Sequence, residues 1–308
     1  MKVGIIGGGN VGATLALFTA QSGLADVVLL DIVEGVPQGK ALDMMQARAV
    51  LGFSPEVVGT NDYKDLAGCN VVVITAGFPR KPGMSRDDLV VKNAEVITSV
   101  CTGVREVCPD CIIIMVTNPL DAMSYLAMQV TGFPRERVLG MAGVLDAARF
   151  RAFIGMDLDV HPESVAAMVL GGHGDSMVPV VEGSTVNSTP LKEAVPSEKL
   201  DTIVERTRKG GAEIVALLKT GSAYYAPAAS AFCMLQAIAG ETDGPLPVSV
   251  LLQGEYGIHG VFVGVPVHLG STGLMSIEEL FISDTDLSSL QSSAQAVKDL
   301  CESHFGQG

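Results

Sequence analysis

Short runs of apolar residues, each followed by a segment of helix length, recur along the first half of the chain. The runs are rich in Val, Ile and Leu, as is typical of strands buried on both faces of a parallel sheet. They are residues 3–6, 27–30, 71–75 and 112–116. Helix-compatible segments follow at 10–22, 38–51 and 88–107, with Gly and Pro at the turns. The alternation predicts an α/β fold with a doubly wound parallel sheet over residues 1–145.

The pattern changes after residue 146. Helix-compatible segments now mix with short apolar runs, which predicts an α+β arrangement over residues 146–308. The expected helices are a segment from 146 to 154 and the segments 197–218, 222–239 and 286–304. The expected strands are 165–170, 178–181, 248–252 and 261–267. No linker or repeat separates the two halves, so we expect them to pack against each other with a cleft between them.

Composition narrows the classes of partner. Hydrophobic residues make up 48% of the 308 residues and charged residues 18%, as in a chain that folds into a globular protein. The formal charge of -14 repels nucleic acid and anionic membranes, so neither is expected as a partner. An anionic ligand could be held only where a few arginines reverse the field. The uncharged stretch 220–240 is interrupted by Pro227 and several polar residues, which favours a buried helix over a membrane span.

The cysteines and the first residues indicate a cellular context. Six cysteines in a chain of this length are expected to be thiols of a reducing compartment. The first residues run directly into a predicted strand without a leader pattern, so we expect a cytoplasmic protein. The pair Cys108 and Cys111 fits C-x-x-C, but no second pair accompanies it, and no metal site is expected.

A glycine turn follows the first predicted strand. Residues 7–12, GGGNVG, fit the pattern G-x-G-x-x-G, and a helix is expected to begin near Asn10. Gly7 permits the tight turn, Gly9 lets a pyrophosphate approach the backbone, and Gly12 allows close packing of helix and strand. Asp31 ends the next strand, where its carboxylate can bind both ribose hydroxyls and repel a 2′-phosphate. The sequence therefore predicts a Rossmann domain that binds NAD through Gly7, Gly9, Asn10, Val11, Gly12 and Asp31.

Cationic and polar residues follow the later strands of the predicted sheet. The loop 76–87 contains Arg80, Lys81 and Arg86, and its prolines and glycines suit a hinged lid. Asn118 ends the next strand. Because ligands of open α/β sheets bind at the carboxyl ends of the strands, we expect these residues to face one site.

Two further segments bring acid, base and cation together. Asp146 and Arg149 are three residues apart, so they share one face of a predicted helix. His173 lies among glycines in the segment GGHGD, which leaves its imidazole sterically open. Both segments could point into the cleft between the halves.

The order of these motifs resembles that of the malate and lactate dehydrogenases. The resemblance covers essentially the whole chain: the glycine turn, then RKPGMSR, VTNP, LDAAR, GGHGD and GSAYYAP. Lactate dehydrogenases typically carry Gln where Arg80 stands, so the segment 80–86 is similar to the malate type. The resemblance implies a Rossmann NAD-binding domain at 1–145 and a C-terminal α+β catalytic and substrate domain at 146–308. It also implies reversible, NAD-dependent hydride transfer between (S)-malate and oxaloacetate.

The resemblance assigns roles to the polar residues. Catalytic roles fall to His173, Asp146 and Arg86, substrate binding to Arg80, Arg86, Asn118 and Arg149, and further cofactor contacts to Asn93 and Asn118. An imidazolium can stabilise and protonate the alkoxide that hydride transfer creates, and a carboxylate partner favours the charged imidazole. A guanidinium can bind a substrate carboxylate through a bidentate fork.

The arginines of the loop complete this interpretation. Arg86 would polarise the carbonyl and exclude water, and Arg80 would pair with the distal carboxylate of a dicarboxylate substrate. One such charge-assisted pair is worth about 1.5–3 kcal/mol, which favours oxaloacetate over pyruvate by at least about tenfold.

Other functions remain as alternatives. The nearest is an L-lactate or other 2-hydroxyacid dehydrogenase, which position 80 would distinguish. NAD-dependent glycoside hydrolysis would need a metal site, for which the sequence offers no Cys/His pair. A non-catalytic NAD sensor would not need Arg86, Asp146, Arg149 and His173 together. The low charge content favours a homodimer or homotetramer.

Overall fold

The computed structural model describes residues 1–79, 86–242 and 244–306, with residue 86 described by its backbone alone. Its first half alternates strands and helices in the order expected from the sequence. The elements are β1 (Lys2–Ile6), α1 (Asn10–Gln21), β2 (Asp26–Leu30), α2 (Val36–Leu51), β3 (Val57–Thr60), β4 (Val71–Ile74), α3 (Arg86–Val107), β5 (Ile112–Met115), α4 (Leu120–Thr131) and β6 (Val138–Gly140).

The second half mixes helices with antiparallel strands. Its elements are α5 (Gly143–Leu158), β7 (Val165–Leu170), β8 (Val178–Val186), β9 (Thr189–Pro190), α6 (Leu191–Ala194), α7 (Ser197–Leu218), α8 (Tyr225–Ala239), β10 (Leu246–Gln253), β11 (His259–Gly270), β12 (Gly273–Ile277) and α9 (Asp284–Phe305). The α/β class with an α+β second half is therefore confirmed.

Both halves contribute to one sheet. Within the described residues its strand order is β12-β11-β10-β6-β5-β4-β1-β2-β3. The six strands from β6 to β3 are parallel, whereas β10, β11 and β12 extend the sheet in antiparallel register. The chain leaves β1 towards β2 on one side and later returns as β4 on the other. The crevice between β1 and β4 is thus the topological switch point, where ligands of such sheets bind.

The hydrophobic core follows the sheet across both halves. A large cluster joins the parallel strands to β10 and β11. It includes the fully buried Ile5, Val73, Ile114 and Phe262. A smaller cluster lies under α5, α7 and the separate sheet β7-β8-β9, around the fully buried Phe150. The shared core fixes the second half against the parallel sheet.

Several elements escaped the sequence analysis. These are β3, α4, β6 and β12, together with the short β9 and α6. The strand β6 has three residues and β3 has four, too few for a periodic pattern. The expected division between residues 145 and 146 falls inside α5, so the position of the domain boundary stays a prediction.

Candidate active site

The glycine turn connects β1 to α1 at the switch point. Gly7 has φ +108°, and a β-carbon at Gly12 would lie 2.0 Å from the carbonyl oxygen of Gly7, so both positions require glycine. A β-carbon at Gly9 would meet nothing within 4 Å, which means that the outer face of the turn is open. Helix α1 begins at Asn10, and the first amides of a helix lack intrahelical acceptors. Backbone donors of Asn10 and Val11 therefore lie beside an open surface that suits a pyrophosphate.

Asp31 lies beside this turn at the end of β2. One oxygen, Oδ2, accepts a hydrogen bond from the amide of Gly8 at 2.6 Å, and Oδ1 accepts one from the amide of Val33 at 2.9 Å. Two backbone donors thus hold the carboxylate in a fixed orientation. Lys40 on α2, which the sequence analysis did not single out, donates from Nζ to the carbonyl oxygen of Gly8 at 2.5 Å.

These residues fit a dinucleotide. They offer an open glycine turn, the amino end of a 12-residue helix and an oriented carboxylate at the end of the adjacent strand. A nicotinamide dinucleotide bound there would supply or accept a hydride. The carboxylate of Asp31 would bind a ribose and repel a 2′-phosphate.

Asn118 follows the end of β5, and Asn93 lies about two turns into α3. Asn118 is exposed at the carboxyl edge of the sheet. Asn93 is 0% exposed, and its side chain spans two loops: Nδ2 donates to the carbonyl oxygens of Asn118 at 2.6 Å and Phe78 at 3.1 Å, and Oδ1 accepts from the amide of Phe78 at 2.8 Å. Asn93 is therefore a brace between these loops, and its direct contact with a cofactor stays a prediction.

His173, Asp146 and Arg149 form one connected group. Nδ1 of His173 lies 2.8 Å from Oδ2 of Asp146, and Nη1 of Arg149 donates to Oδ1 of the same carboxylate at 3.3 Å. The Asp146 side chain is 2% exposed, whereas those of His173 and Arg149 are 15% and 14% exposed. The carboxylate is therefore buried beneath two side chains that can still reach a ligand.

Burial and charge act in opposite directions on this group. Burial alone would lower the pKa of His173, but the charge and hydrogen bond of Asp146 outweigh it, and the net pKa is raised. Burial lowers the pKa of Arg149, and Asp146 opposes that shift. The arrangement favours an imidazolium at His173, the form that can donate a proton to an oxygen.

Helix α7 supplies space for the guanidinium. A β-carbon at Gly210 would lie 3.2 Å from Cδ of Arg149, and one at Gly211 would lie 3.4 Å from its Nη2. Two adjacent glycines inside a helix are unfavourable by about 1 kcal/mol each relative to alanine. Close packing of α7 on Arg149 explains why both positions are glycine. Two adjacent glycines inside a predicted helix were therefore a signal of this packing, which the sequence analysis did not use.

A buried acid, Asp121, was also missed. It lies in the first turn of α4, is 4% exposed, and accepts the backbone amide of His173 at 2.8 Å. Its place three residues after Asn118 in the motif VTNPLD was the available signal. The sequence analysis did not predict α4, so it could not place the Asp121 side chain on a buried face of that helix.

The remaining site residues belong to the loop after β4. Arg80 lies outside the described residues, and Arg86 begins α3 with its side chain outside them. The roles expected for both arginines stay predictions. Among the described residues no cluster of three or more His, Cys, Asp or Glu is placed to hold a metal ion. No helix within the same residues is long and apolar enough to cross a membrane.

Comparison with known families decides where this site belongs. Residues 1–140 match the NAD-binding domain of lactate/malate dehydrogenases, and residues 143–307 match their alpha/beta C-terminal domain. The chain belongs to the lactate/malate dehydrogenase family. The resemblance inferred from the motifs is thereby confirmed, and NAD is the cofactor of this fold.

Individual members of the lactate/malate dehydrogenase family match over nearly their full length. The chain is 54% identical over 303 residues to a malate dehydrogenase of Pelodictyon phaeoclathratiforme, covering 98% of each protein. It superposes on a malate dehydrogenase from Cryptosporidium parvum with a TM-score of 0.95 at 43% identity, covering 98% of both chains. A lactate dehydrogenase from that organism, solved with lactic acid and nicotinamide adenine dinucleotide, gives 0.94 at 40% identity, covering 98% of this chain and 97% of the other. The fold alone therefore does not distinguish the two substrates.

Proposed function

We propose that this chain is an NAD-dependent malate dehydrogenase that interconverts (S)-malate and oxaloacetate. The observation that carries the proposal is the contact of His173 with Asp146 at 2.8 Å, beside Arg149. This group lies next to the start of α4, at the carboxyl edge of the sheet whose first strand leads into the glycine turn. This arrangement supplies a proton donor and an anion-binding guanidinium next to a dinucleotide site. The names of relatives such as the malate dehydrogenase of Rhodopirellula baltica, 51% identical over 307 residues, favour the dicarboxylate substrate.

The described residues divide the work of the reaction. His173 as imidazolium donates its proton to the substrate's carbonyl oxygen during reduction and recovers it during oxidation. Asp146 holds the ring through Nδ1, which leaves Nε2 for the substrate, and stabilises the positive charge. Arg149 binds the carboxylate next to the carbonyl. Reduction should therefore slow as the pH rises through the raised pKa of His173, and oxidation should quicken.

Position 80 carries the choice of dicarboxylate over monocarboxylate in this proposal. A cation there would pair with the distal carboxylate of oxaloacetate, which pyruvate lacks. Arg86 would bind the carbonyl as the loop closes and water leaves. Both assignments rest on the motif RKPGMSR.

The test compares substrates and cofactors side by side. NADH oxidation is followed with oxaloacetate and with pyruvate, and NADPH replaces NADH in a parallel series. We expect turnover with oxaloacetate and NADH to exceed the other combinations at least about tenfold. A preference for pyruvate would replace the proposal by its alternative, an L-lactate or other 2-hydroxyacid dehydrogenase.

A variant of the loop tests the role of Arg80 directly. Arg80→Gln removes the cation, so activity with oxaloacetate should fall and the relative activity with pyruvate should rise by about tenfold or more. Lys81→Gln, which removes the neighbouring charge, serves as the matched control. Equal substrate ratios in Arg80→Gln and the parent would refute the assignment.

We also propose that the protein forms a homodimer or homotetramer in the cytoplasm. Large apolar side chains are exposed on α2, where Leu42 is 59% and Val50 is 87% exposed, and exposed apolar surface of this kind is typical of subunit contacts. All six cysteines are free thiols, which suits a reducing compartment. Light scattering after gel filtration would give the mass in solution, and cell fractionation would test the location.

A further inference from the structure

Three successive backbone amides before and at His173 are each bound by a different element. Gly171 donates to the carbonyl oxygen of Gly264 on β11 at 2.9 Å, Gly172 to Oγ of Ser293 on α9 at 2.9 Å, and His173 to Oδ2 of Asp121 on α4 at 2.8 Å. We refer to residues 171–175 as the histidine loop. Its backbone is therefore fixed from three sides before the imidazole makes its own contact.

Among these three acceptors, Asp121 carries an ionisable group. Its second oxygen, Oδ1, accepts from the hydroxyl of Ser249 on β10 at 2.6 Å, and Ser249 is 0% exposed. An amide can only donate, so Oδ2 must accept from His173. The carboxylate also lies in the first turn of α4, where the helix dipole stabilises negative charge. Two donors and a helix terminus thus stabilise the carboxylate against the protonation that burial favours.

The described charged and titratable groups around Asp121 and His173 come from two elements. Asp146 and Arg149 on α5 face His173, and Cys301 on α9 lies near Asp121. Burial raises the pKa of Asp121, and the charge of Asp146 acts in the same direction. The hydrogen bonds from Ser249 and from the amide of His173, and the charge of His173, oppose that rise, and the net pKa is raised. For His173, the Asp121 charge acts in the same direction as that of Asp146 and raises the pKa, against burial and Arg149.

We propose that Asp121 is a positioning residue for the proton donor: its buried carboxylate fixes the backbone of His173 and supplies a second negative charge that stabilises the imidazolium. Asp146 acts on the ring, and Asp121 acts on the backbone behind it. The inference rests on the proposed function, because it concerns the group that donates the proton in that reaction. It adds a residue that touches neither substrate nor cofactor.

Two substitutions separate the charge of Asp121 from its hydrogen bonds. Asp121→Asn keeps the shape, since its oxygen can still accept from His173 and its NH₂ group can donate to Ser249, but it removes the charge. Asp121→Ala removes both. Ser293→Ala is the matched control, because it frees the neighbouring amide of Gly172 without changing any charge.

The readouts are the imidazole titration and the pH profile of turnover. Protein labelled with ¹³C at the histidine Cε1 is titrated by NMR without ligand, and the His173 signal is assigned by its loss in His173→Asn. Asp121→Asn should titrate at lower pH than the parent, and its rate of ketoacid reduction should fall at lower pH as well. Its kcat on the acidic plateau should stay within about tenfold of the parent, whereas Asp121→Ala should lose on the order of 10²-fold through misplacement of the imidazole.

Each outcome bears on the inference. A shift in Asp121→Asn with Ser293→Ala unshifted supports it. An unshifted Asp121→Asn would overturn the role of the charge, and so would an equal shift in Ser293→Ala, because loosening of the histidine loop would then explain both. Parental turnover in Asp121→Ala would overturn the positioning role, and Asp121→Asn still tests the charge if the alanine variant does not fold. The titration needs no substrate, so absence of activity in the parent would refute the proposed function alone.

Discussion

The glycine turn and the histidine loop do different work and are built in different ways. Among the contacts that fix it within the described residues, the glycine turn is held by residues of the Rossmann half alone: Gly8 contacts Asp31 and Lys40, 23 and 32 positions away, and the carbonyl oxygen of Gly7 accepts from the hydroxyl of Thr75, 68 positions away. The histidine loop depends on residues 27, 52 and 121 positions away, on α5, α4 and α9. One region is specified by local backbone geometry, and the other by side chains that the completed fold brings together.

This difference determines how each region should fail. In the glycine turn the critical feature is missing volume, so an added methyl group meets backbone or blocks the approach of phosphate. In the proposed mechanism the critical feature of the histidine loop is the charge on His173, so an uncharged residue at this position should lower turnover while the packing is kept. The two regions should therefore be separable by substitution.

The largest effect is expected at His173. His173→Asn removes the proposed proton donor, and turnover should fall by about 10²–10⁴-fold. The glycine turn is untouched, so the dissociation constant of NADH, measured by fluorescence titration, should stay within about twofold of the parent.

An outcome in which cofactor affinity falls together with turnover would contradict this separation. It would mean that the histidine loop and the glycine turn are coupled through the shared sheet. His268→Asn, on β11 and away from the site, is the matched control for loss of a histidine, and it should leave turnover at the parental value.

The second effect concerns two glycines of one turn. A β-carbon at Gly12 would lie 2.0 Å from the carbonyl oxygen of Gly7, so Gly12→Ala should destabilise the protein by about 1–3 kcal/mol and weaken NADH binding at least about tenfold. A β-carbon at Gly9 meets nothing, so Gly9→Ala should weaken NADH binding with little change in melting temperature.

Calorimetry and fluorescence titration together distinguish the two variants. If both alanines lower the melting temperature equally, the open face at Gly9 is not reserved for a ligand. If neither changes the affinity for NADH, the turn is structural only.

The same contrast explains what the sequence could predict. The turn GGGNVG, Asp31 and the flanking apolar runs are contiguous patterns, so the Rossmann half and its cofactor could be inferred from spacing. The pairing of Asp146 with Arg149 could be inferred as well, because three positions on a helix face the same way.

Long-range features could not be inferred in that way. In the sequence, Asp121 is an ordinary acid near a proline. Its role depends on the contact between α4 and the histidine loop, which the structure shows. The extension of the parallel sheet by β10, β11 and β12 depends on Ser249 pairing with Gly140, far apart in sequence. The role of Gly210 depends likewise on the packing of α7 against α5. No periodicity encodes such contacts.

A third, smaller effect tests the selectivity of the cofactor region. Asp31→Asn removes the charge that repels a 2′-phosphate, and the ratio of kcat/KM for NADH to that for NADPH should fall by about tenfold. Asp26→Asn, at the other end of β2, is the control and should leave the ratio unchanged. An unchanged ratio in Asp31→Asn would show that some other feature excludes NADPH.

The smallest effect is expected at Gly210, where the catalytic region, like the glycine turn, needs a residue without a side chain. A β-carbon at Gly210 would lie 3.2 Å from Cδ of Arg149 and 3.3 Å from Cε2 of Phe153, so Gly210→Ala should displace the guanidinium. Weakening its contact with the substrate carboxylate by about 1 kcal/mol would raise KM about fivefold. The measurement is KM for the ketoacid, with kcat recorded alongside.

Gly211→Ala provides the comparison, because its β-carbon would lie 3.4 Å from Nη2 of Arg149, an ordinary contact distance. Both alanines favour the helix by about 1 kcal/mol, so a gain in melting temperature common to both reports on α7 itself. A rise in KM confined to Gly210→Ala would then report on the position of Arg149. KM values equal to that of the parent in both variants would mean that the guanidinium adjusts freely. The catalytic region would then depend on charge, without the steric constraint that governs the glycine turn.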